Sequence, residues 1–246
     1  MKEIINNKED KLKLKLTNTN KSEIYGKEKN IWIGVSISLK EYYDNDAQKY
    51  LKFAAKNSKD KAFVVIADDI AAINNRVLEK GYLKNYPFEA ARAIGDVWEE
   101  KYLKNIEILN LEDKVKILKW RDVWNDKTQK QYEILKEAYE NDLYIRQGII
   151  LPMIYYLNCR GRNVNRKRLD ALCEYVLREL PFLLNGIEYN GIEAKCMFYP
   201  SYNMKQNLTD LSFNIQKNEK YANLREELGI KGDLAIIDTQ IGESLM

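Results

Sequence analysis

Ser36 stands two residues after Gly34, at the end of the apolar run Ile31–Val35, inside the stretch NIWIGVSISLKEYY of Asn30–Tyr43. A hydroxyl at the carboxyl end of a strand, ahead of a helix, is where α/β proteins present nucleophiles and ligand contacts. It can equally do no more than satisfy a backbone group, and the stretch alone leaves both readings open. Two other places carry chemistry. Tyr175 and Glu179 are four residues apart. On a helix they share a face, where a phenol beside a carboxylate can bind an ammonium group and pass protons, or form a plain surface pair. Phe198-Tyr199-Pro200 closes a later apolar run, and its proline ends the ladder while holding Tyr199 extended.

The chain has no histidine. That removes the Ser-His-Asp triad, the Cys-His dyad, the HExxH zinc site and every histidine proton shuttle. A nucleophilic Ser36 therefore needs another proton acceptor, and an electrophile that is activated before it arrives.

The elements that must position these groups follow from hydrophobic periodicity. Ile31–Val35 reads as a strand buried on both faces, with Gly34 allowing close approach to its end. Ala47, Tyr50, Leu51 and Ala54 recur at helical spacing after a polar break. KLKLKL, Lys11–Leu16, alternates strictly and predicts an edge strand, in an otherwise Lys- and Asn-rich, frayed segment 1–29. Ala62–Ala67 is a second continuous strand, after which Asp68 and Asp69 read as site carboxylates or, more in keeping with the apolar helical pattern from Ile70, as a helix N-cap. Residues 70–105 read as two helices broken at Tyr86-Pro87, and Val115–Trp120 as a third strand. Helices follow over Lys127–Tyr139 and Asp142–Leu157, the second kinked or divided by Pro152. Arg166–Leu180 is a helix that Pro181 stops, with Leu169, Leu172, Cys173, Val176 and Leu180 on one stripe and the Tyr175/Glu179 pair on its edge. Ala194–Phe198 and Asp233–Ile237 complete the strands, with a helix near Met204–Asn214 between them. Strands alternating with helices predict one α/β domain over residues 1–246, its central, mainly parallel sheet covered on both faces.

Composition bounds the rest. Apolar residues make up 45% and charged residues 31%, which excludes disorder as the default, and a net charge of +3 is too small to argue for nucleic acid by itself. No apolar run nears a membrane span and no signal-peptide core is visible, so no membrane partner is expected. Cys159, Cys173 and Cys196 are odd in number and form no CxxC pair, which fits reduced, packing thiols in a cytoplasmic protein. Two basic runs stand out: RGRNVNRKR, with Arg160, Arg162, Arg166, Lys167 and Arg168, and a spread of Arg76, Lys80, Lys84, Arg92, Lys101 and Lys104. Each is either a solvated face or a footprint for a polyanion.

In order and spacing, Gly34-Val35-Ser36, the segment YVLRELP of Tyr175–Pro181, and Tyr199 resemble the motifs of the cyclodipeptide synthases. The resemblance runs from about Trp32 to Asp238 and includes AFVVIAD and the segment around Asn158. It implies a Rossmann-like domain related to class Ic aminoacyl-tRNA synthetase catalytic domains. Within the family one branch carries asparagine three residues after the serine; Leu39 and Tyr199-Pro200 are similar to the other branch. By the same resemblance, Ser36 is the nucleophile, Tyr175 and Glu179 hold and deprotonate the substrate amine, and Tyr199 orients or relays protons at the serine. Ile33, Gly34 and Val64 line the pocket for the first amino acid, and Leu39, Asn158 and Pro200 complete the substrate-side set. Lys80, Lys84, Arg92 and Lys101, with Arg160, Arg162, Arg166 and Arg168, are the candidates for tRNA.

The implied reaction answers the missing histidines, because an aminoacyl ester on tRNA is already an activated acyl donor. Ser36 attacks the ester to give an aminoacyl-enzyme. The amine of a second aminoacyl-tRNA then attacks that ester to give a dipeptidyl-enzyme, and its free amine closes a 2,5-diketopiperazine, with ping-pong kinetics. The implied partners are two aminoacyl-tRNAs and a monomeric protein, with neither ATP nor a metal as cofactor. The competing expectations are another aminoacyl-tRNA-dependent acyl transferase and a non-catalytic tRNA-binding relic of a synthetase.

Overall fold

The computed structural model describes residues 2–7, 12–37, 47–78, 88–159, 161–199, 206–230, 232 and 234–239. Along these, the chain forms β1 (Lys2–Asn7), β2 (Leu12–Thr17), α1 (Lys21–Tyr25), β3 (Ile31–Val35), α2 (Ala47–Asn57), β4 (Ala62–Ile66) and α3 (Asp68–Leu78). It continues through α4 (Phe88–Ile108), β5 (Val115–Lys119), α5 (Trp120–Val123), α6 (Asp126–Asn141), α7 (Leu143–Cys159) and α8 (Arg166–Asn185). A hairpin of β6 (Ile187–Tyr189) and β7 (Ile192–Ala194) leads to β8 (Cys196–Tyr199), α9 (Gln206–Lys217), α10 (Ala222–Glu227) and β9 (Ala235–Thr239).

The main sheet has the order β1-β2-β9-β8-β3-β4-β5. Neighbours from β9 through β5 are parallel, while β2 joins β9, and β1 joins β2, in antiparallel register. The α/β class and the mainly parallel sheet expected from the alternation of elements are both present. Each face of the sheet has its own core. On one, Ile31, Ile33, Val35, Val64 and Ile66 pack with Tyr50, Leu51 and Phe53 of α2 and Trp98, Tyr102 and Ile106 of α4. On the other, Trp32, Phe63 and Val65 pack with Ile149 and Met153 of α7, Val176 and Leu180 of α8, and Leu211 of α9. Strands buried on both sides lose the polar alternation of a half-exposed strand, which is why IWIGV and AFVVI read as unbroken apolar runs.

Several expectations are corrected. The alternating strand, Leu12–Thr17, is interior rather than an edge, because residues 2–7 form β1 outside it, and its Leu14 and Leu16 are fully buried. Pro181 does not stop α8, which runs on to Asn185 and ends at Gly186, at φ 73° and ψ −157°. Proline removes one N–H from the ladder. Burial of Phe182, Leu183 and Leu184 beyond it outweighs that loss. A side chain on Gly186 would collide with the Ala194 carbonyl oxygen, so the helix stop is a glycine requirement. Pro152 does not divide α7. The single strand expected at Ala194–Phe198 is two, since Ile192–Ala194 pairs with β6 and only Cys196–Tyr199 enters the main sheet. Among the described residues no helix is long and apolar enough to cross a membrane.

Candidate functional site

Successive strands run outward from β3 to β4 and β5 on one side, while β8 and β9 return on the other. The strand order therefore reverses between β3 and β8, and a crevice outside the carboxyl ends at such a switch is where open α/β sheets bind ligands. Ser36 directly follows β3, and Tyr199 is the last residue of β8. Ile33 is registered with Phe198, which brings the Tyr199 backbone level with Gly34 on the neighbouring strand. Ser36 is half-buried, and beside it the Val35 carbonyl accepts from the Ala67 N–H at 2.9 Å, closing β3 onto the end of β4.

Which way the site faces follows from strand alternation. Ile31, Ile33 and Val35 belong to the α2/α4 core and Trp32 to the opposite one. With a period of two, Gly34 and Ser36 therefore share the Trp32 face, the one covered by α8. Helix α8 buries Leu172, Cys173, Val176, Leu177 and Leu180 against that same core. Tyr175 packs half-buried on it, and Glu179 is only 8% exposed. A carboxylate this buried is not half of a solvated surface pair; an i,i+4 ion pair one residue earlier on the same helix joins Glu174 and Arg178, at 2.7 Å. The Tyr132 hydroxyl also donates to Glu174, at 2.8 Å. Burial, with that carboxylate beside it, pushes the Tyr132 phenol up to about 12.

Ile33 and Val64 are corrected as partners of Gly34. Both are fully buried in the α2/α4 core, on the face opposite Gly34. The residues that share Gly34's face on these strands are Trp32, Phe63 and Val65. The period of two was visible in the sequence and supplies the signal for this change.

The pair after β4, expected to precede a helix as its cap, instead forms the first residues of α3. Asp68 is completely buried, and its Oδ1 accepts from the N–H of Asp69 at 2.9 Å and of Trp120 at 3.2 Å. It thereby ties the β4–α3 junction to the β5–α5 junction. Burial raises its carboxyl above the usual range, a rise that the neighbouring Asp69 charge reinforces and those two backbone N–H groups oppose. Next to it, buried Lys119 forms ion pairs with Asp96 at 2.9 Å and Glu99 at 3.0 Å on α4. Trp120 had been expected to end a strand; it begins α5 instead.

The basic candidates divide between two faces. Arg92 makes a two-pronged pair with Asp69, at 2.7 and 2.9 Å, and Lys101 lies 4.7 Å from the centre of the Trp98 ring, both on α4. The other set sits at the α7–α8 connection, where Arg162 is half-buried, Arg166 lies 3.7 Å from Asp170, and Arg168 donates to the Asn163 carbonyl at 3.1 Å. Asn158, exposed near the end of α7, accepts from the Gly161 N–H at 3.0 Å through its carbonyl. The helices bearing the two sets bury their apolar faces in opposite cores. Leu39, Lys80, Lys84, Arg160 and Pro200 lie outside the described residues, as do the side chains of Arg76 and Tyr199. Among the described residues no group of three or more Cys, Asp and Glu is arranged to hold a metal ion.

No family model matches the chain. A cyclo(L-leucyl-L-leucyl) synthase from Staphylococcus haemolyticus is 22% identical over 220 residues, covering 82% of this chain and 88% of that protein. A cyclodipeptide synthase structure from Staphylococcus haemolyticus superposes with a TM-score of 0.68 at 19% identity, covering 93% of this chain and all of that one. The cyclodipeptide synthase of Candidatus Glomeribacter gigasporarum, solved bound to Phe-tRNAPhe, superposes at 0.56 with 17% identity, over 88% of this chain and 90% of that one. The resemblance read from the motifs thus extends to nearly the whole chain, and its Rossmann-like fold is that of the cyclodipeptide synthases.

Proposed function

We propose that this chain is a cyclodipeptide synthase, joining the aminoacyl groups of two aminoacyl-tRNAs into a 2,5-diketopiperazine. The observation that carries the reading is the position of Ser36 at the switch point, on the sheet face that α8 covers with half-buried Tyr175 and buried Glu179. The likeness in sequence to a cyclodipeptide synthase and the fold shared with several of them support it.

In the proposed course, the Ser36 Oγ attacks the ester carbonyl of the first aminoacyl-tRNA. The bond to the terminal ribose oxygen breaks, and that oxygen leaves with the serine proton. For the dipeptide to remain on the enzyme, the next nucleophile must be the amine of the seryl-bound residue, acting on the ester of the second aminoacyl-tRNA. This corrects the expectation that the incoming amine attacks the seryl ester, since that path leaves the dipeptide on tRNA and frees Ser36. The terminal amine then attacks the seryl ester, closing the ring and restoring the hydroxyl. Glu179, with Tyr175, holds the amine as ammonium and takes its proton when it attacks. Tyr199 serves the oxygen of Ser36. Both tRNAs leave as alcohols from esters, so the chemistry calls for no ATP.

The experiment is mass spectrometry of purified full-length chain supplied with labelled aminoacyl-tRNAs. Wild type forms a cyclic dipeptide and carries a trapped aminoacyl adduct, and Ser36→Ala does neither while keeping its fold by circular dichroism. Normal turnover by the alanine variant, or a linear product from wild type, overturns the proposal.

A further inference from the structure

A cavity of about 170 Å³, open to solvent, lies beyond the carboxyl ends of β4 and β5. Its walls include Ile70, Phe88, Trp120, Arg121, Trp124 and Arg178. It occupies the same sheet edge as Ser36, and β3 and β5 are roughly 10 Å apart at two strand spacings. It also touches α8, at the residue immediately before Glu179.

The lining combines two kinds of group. The Trp120 and Trp124 rings stack with planes 27° apart and centroids separated by 6.2 Å. The Arg178 guanidinium lies 5.5 Å from the Trp124 centroid and 5.0 Å from that of Tyr132, and Glu174 fixes it at 2.7 Å. It is therefore an ordered planar cation continuing an aromatic stack. Arg121 is 47% exposed at the rim, its Nη1 3.9 Å from the buried Asp68 Oδ2, and the Arg92–Asp69 pair stands beside it. A purely apolar ligand has no use for these guanidinium groups, and a small anion has no use for two indoles. A planar ring carrying an anion uses both. Unpaired nucleotides are bound in this way, with bases on aromatic or guanidinium planes and phosphates on arginine.

We infer that this cavity receives the 3′-terminal nucleotide of aminoacyl-tRNA, its base against the Trp124–Arg178 stack and its phosphate at Arg121. The inference rests on the synthase reading, because that reaction delivers an unpaired terminal nucleotide whose ribose ester must reach Ser36. The site accounts for a demand the two basic runs do not meet. Contacts to duplex phosphates position a tRNA, but they do not fix the one nucleotide next to the reacting bond.

The test measures binding of full-length chain to deacylated tRNA with a complete 3′ end and to the same tRNA lacking its terminal adenosine, at one salt concentration. Wild type should prefer the complete tRNA by roughly 5- to 150-fold, the range that stacking of one base supports. Arg121→Ala, at an exposed position, and Trp124→Ala should erase most of that preference without changing affinity for the truncated tRNA, and Trp124→Phe should retain it. Equal binding of the two tRNAs by a wild type that still makes cyclic dipeptide overturns the nucleotide site and leaves the synthase reading standing. An altered amino-acid content of the product in Arg121→Ala, with the preference intact, assigns the cavity to a substrate side chain and overturns the inference. Absence of both tRNA binding and product in wild type overturns the two readings together.

Discussion

Replacing Glu179 separates what this carboxylate does for the reaction from what it costs the fold. It sits in the α8 layer, 8% exposed, with Val176 and Leu180 of the core beside it. A charge held there has lost most of its hydration, and a neutral amide of the same shape loses far less. Glu179→Gln keeps the length and one acceptor oxygen but can neither balance an ammonium nor take its proton. Loss of a general base is worth about 10² in rate or more. At about 1.36 kcal/mol per tenfold, that is about 2.7 kcal/mol of transition-state stabilisation. Stability should stay within about 1 kcal/mol or rise, which limits any fall in Tm to about 2–4 °C for a chain of this length. The assay pairs initial rates of cyclic dipeptide formation, read by mass spectrometry, with calorimetric Tm. A synthase site yields a glutamine variant that is as stable as wild type, or more so, and catalytically crippled. Wild-type turnover in the glutamine variant, or Tm falling in step with the rate, refutes the reasoning. Accumulation of aminoacyl-enzyme in the glutamine variant dates Glu179's role to after the first transfer.

Asp68→Asn tests the buried junction. Because burial raises the folded-state pKa of Asp68, the folded protein holds this proton more tightly than the unfolded chain. Its contribution favours folding at low pH and is lost as pH rises through the folded value, so urea titrations should show a shallower loss of stability with pH in the asparagine variant; identical slopes would contradict this. Replacing Arg162, Arg166 and Arg168 together by alanine should flatten the salt dependence of tRNA binding by up to about three in slope, at about one per lost phosphate contact. If only the set Lys80, Lys84 and Arg92 moves the slope, the α7–α8 connection is a solvated surface. Gly186→Ala should destabilise by about 1–3 kcal/mol or more in chemical denaturation, since φ 73° with ψ −157° is a region only glycine occupies freely and the Ala194 carbonyl blocks a side chain.

The sequence alone determined whatever depends on one element at a time. The runs at Ile31–Val35 and Ala62–Ile66 are apolar without a break because helices cover both faces, so their doubly buried character was legible before any contact was known. The serine at the end of the first run, the four-residue spacing of Tyr175 and Glu179, and the missing histidines were legible as well, and they ask for an electrophile activated before it arrives if Ser36 is the nucleophile. Where neighbouring elements compete, local reading failed. Pro181 disfavours a helix locally, yet α8 passes through it because the residues beyond have a core to enter. KLKLKL looked like an edge until residues 2–7 paired outside it, since an edge is defined by what the rest of the chain leaves unpaired. Only the tertiary structure decided which face the site uses. Adjacent strand residues point to opposite sides, so Ile33 and Gly34, neighbours in sequence, lie in different cores, and the sheet order puts the α8 pair on Gly34's side. Asp68 shows the same limit: its partner Trp120 is fifty-two residues away, a separation closed only when β4 and β5 lie side by side.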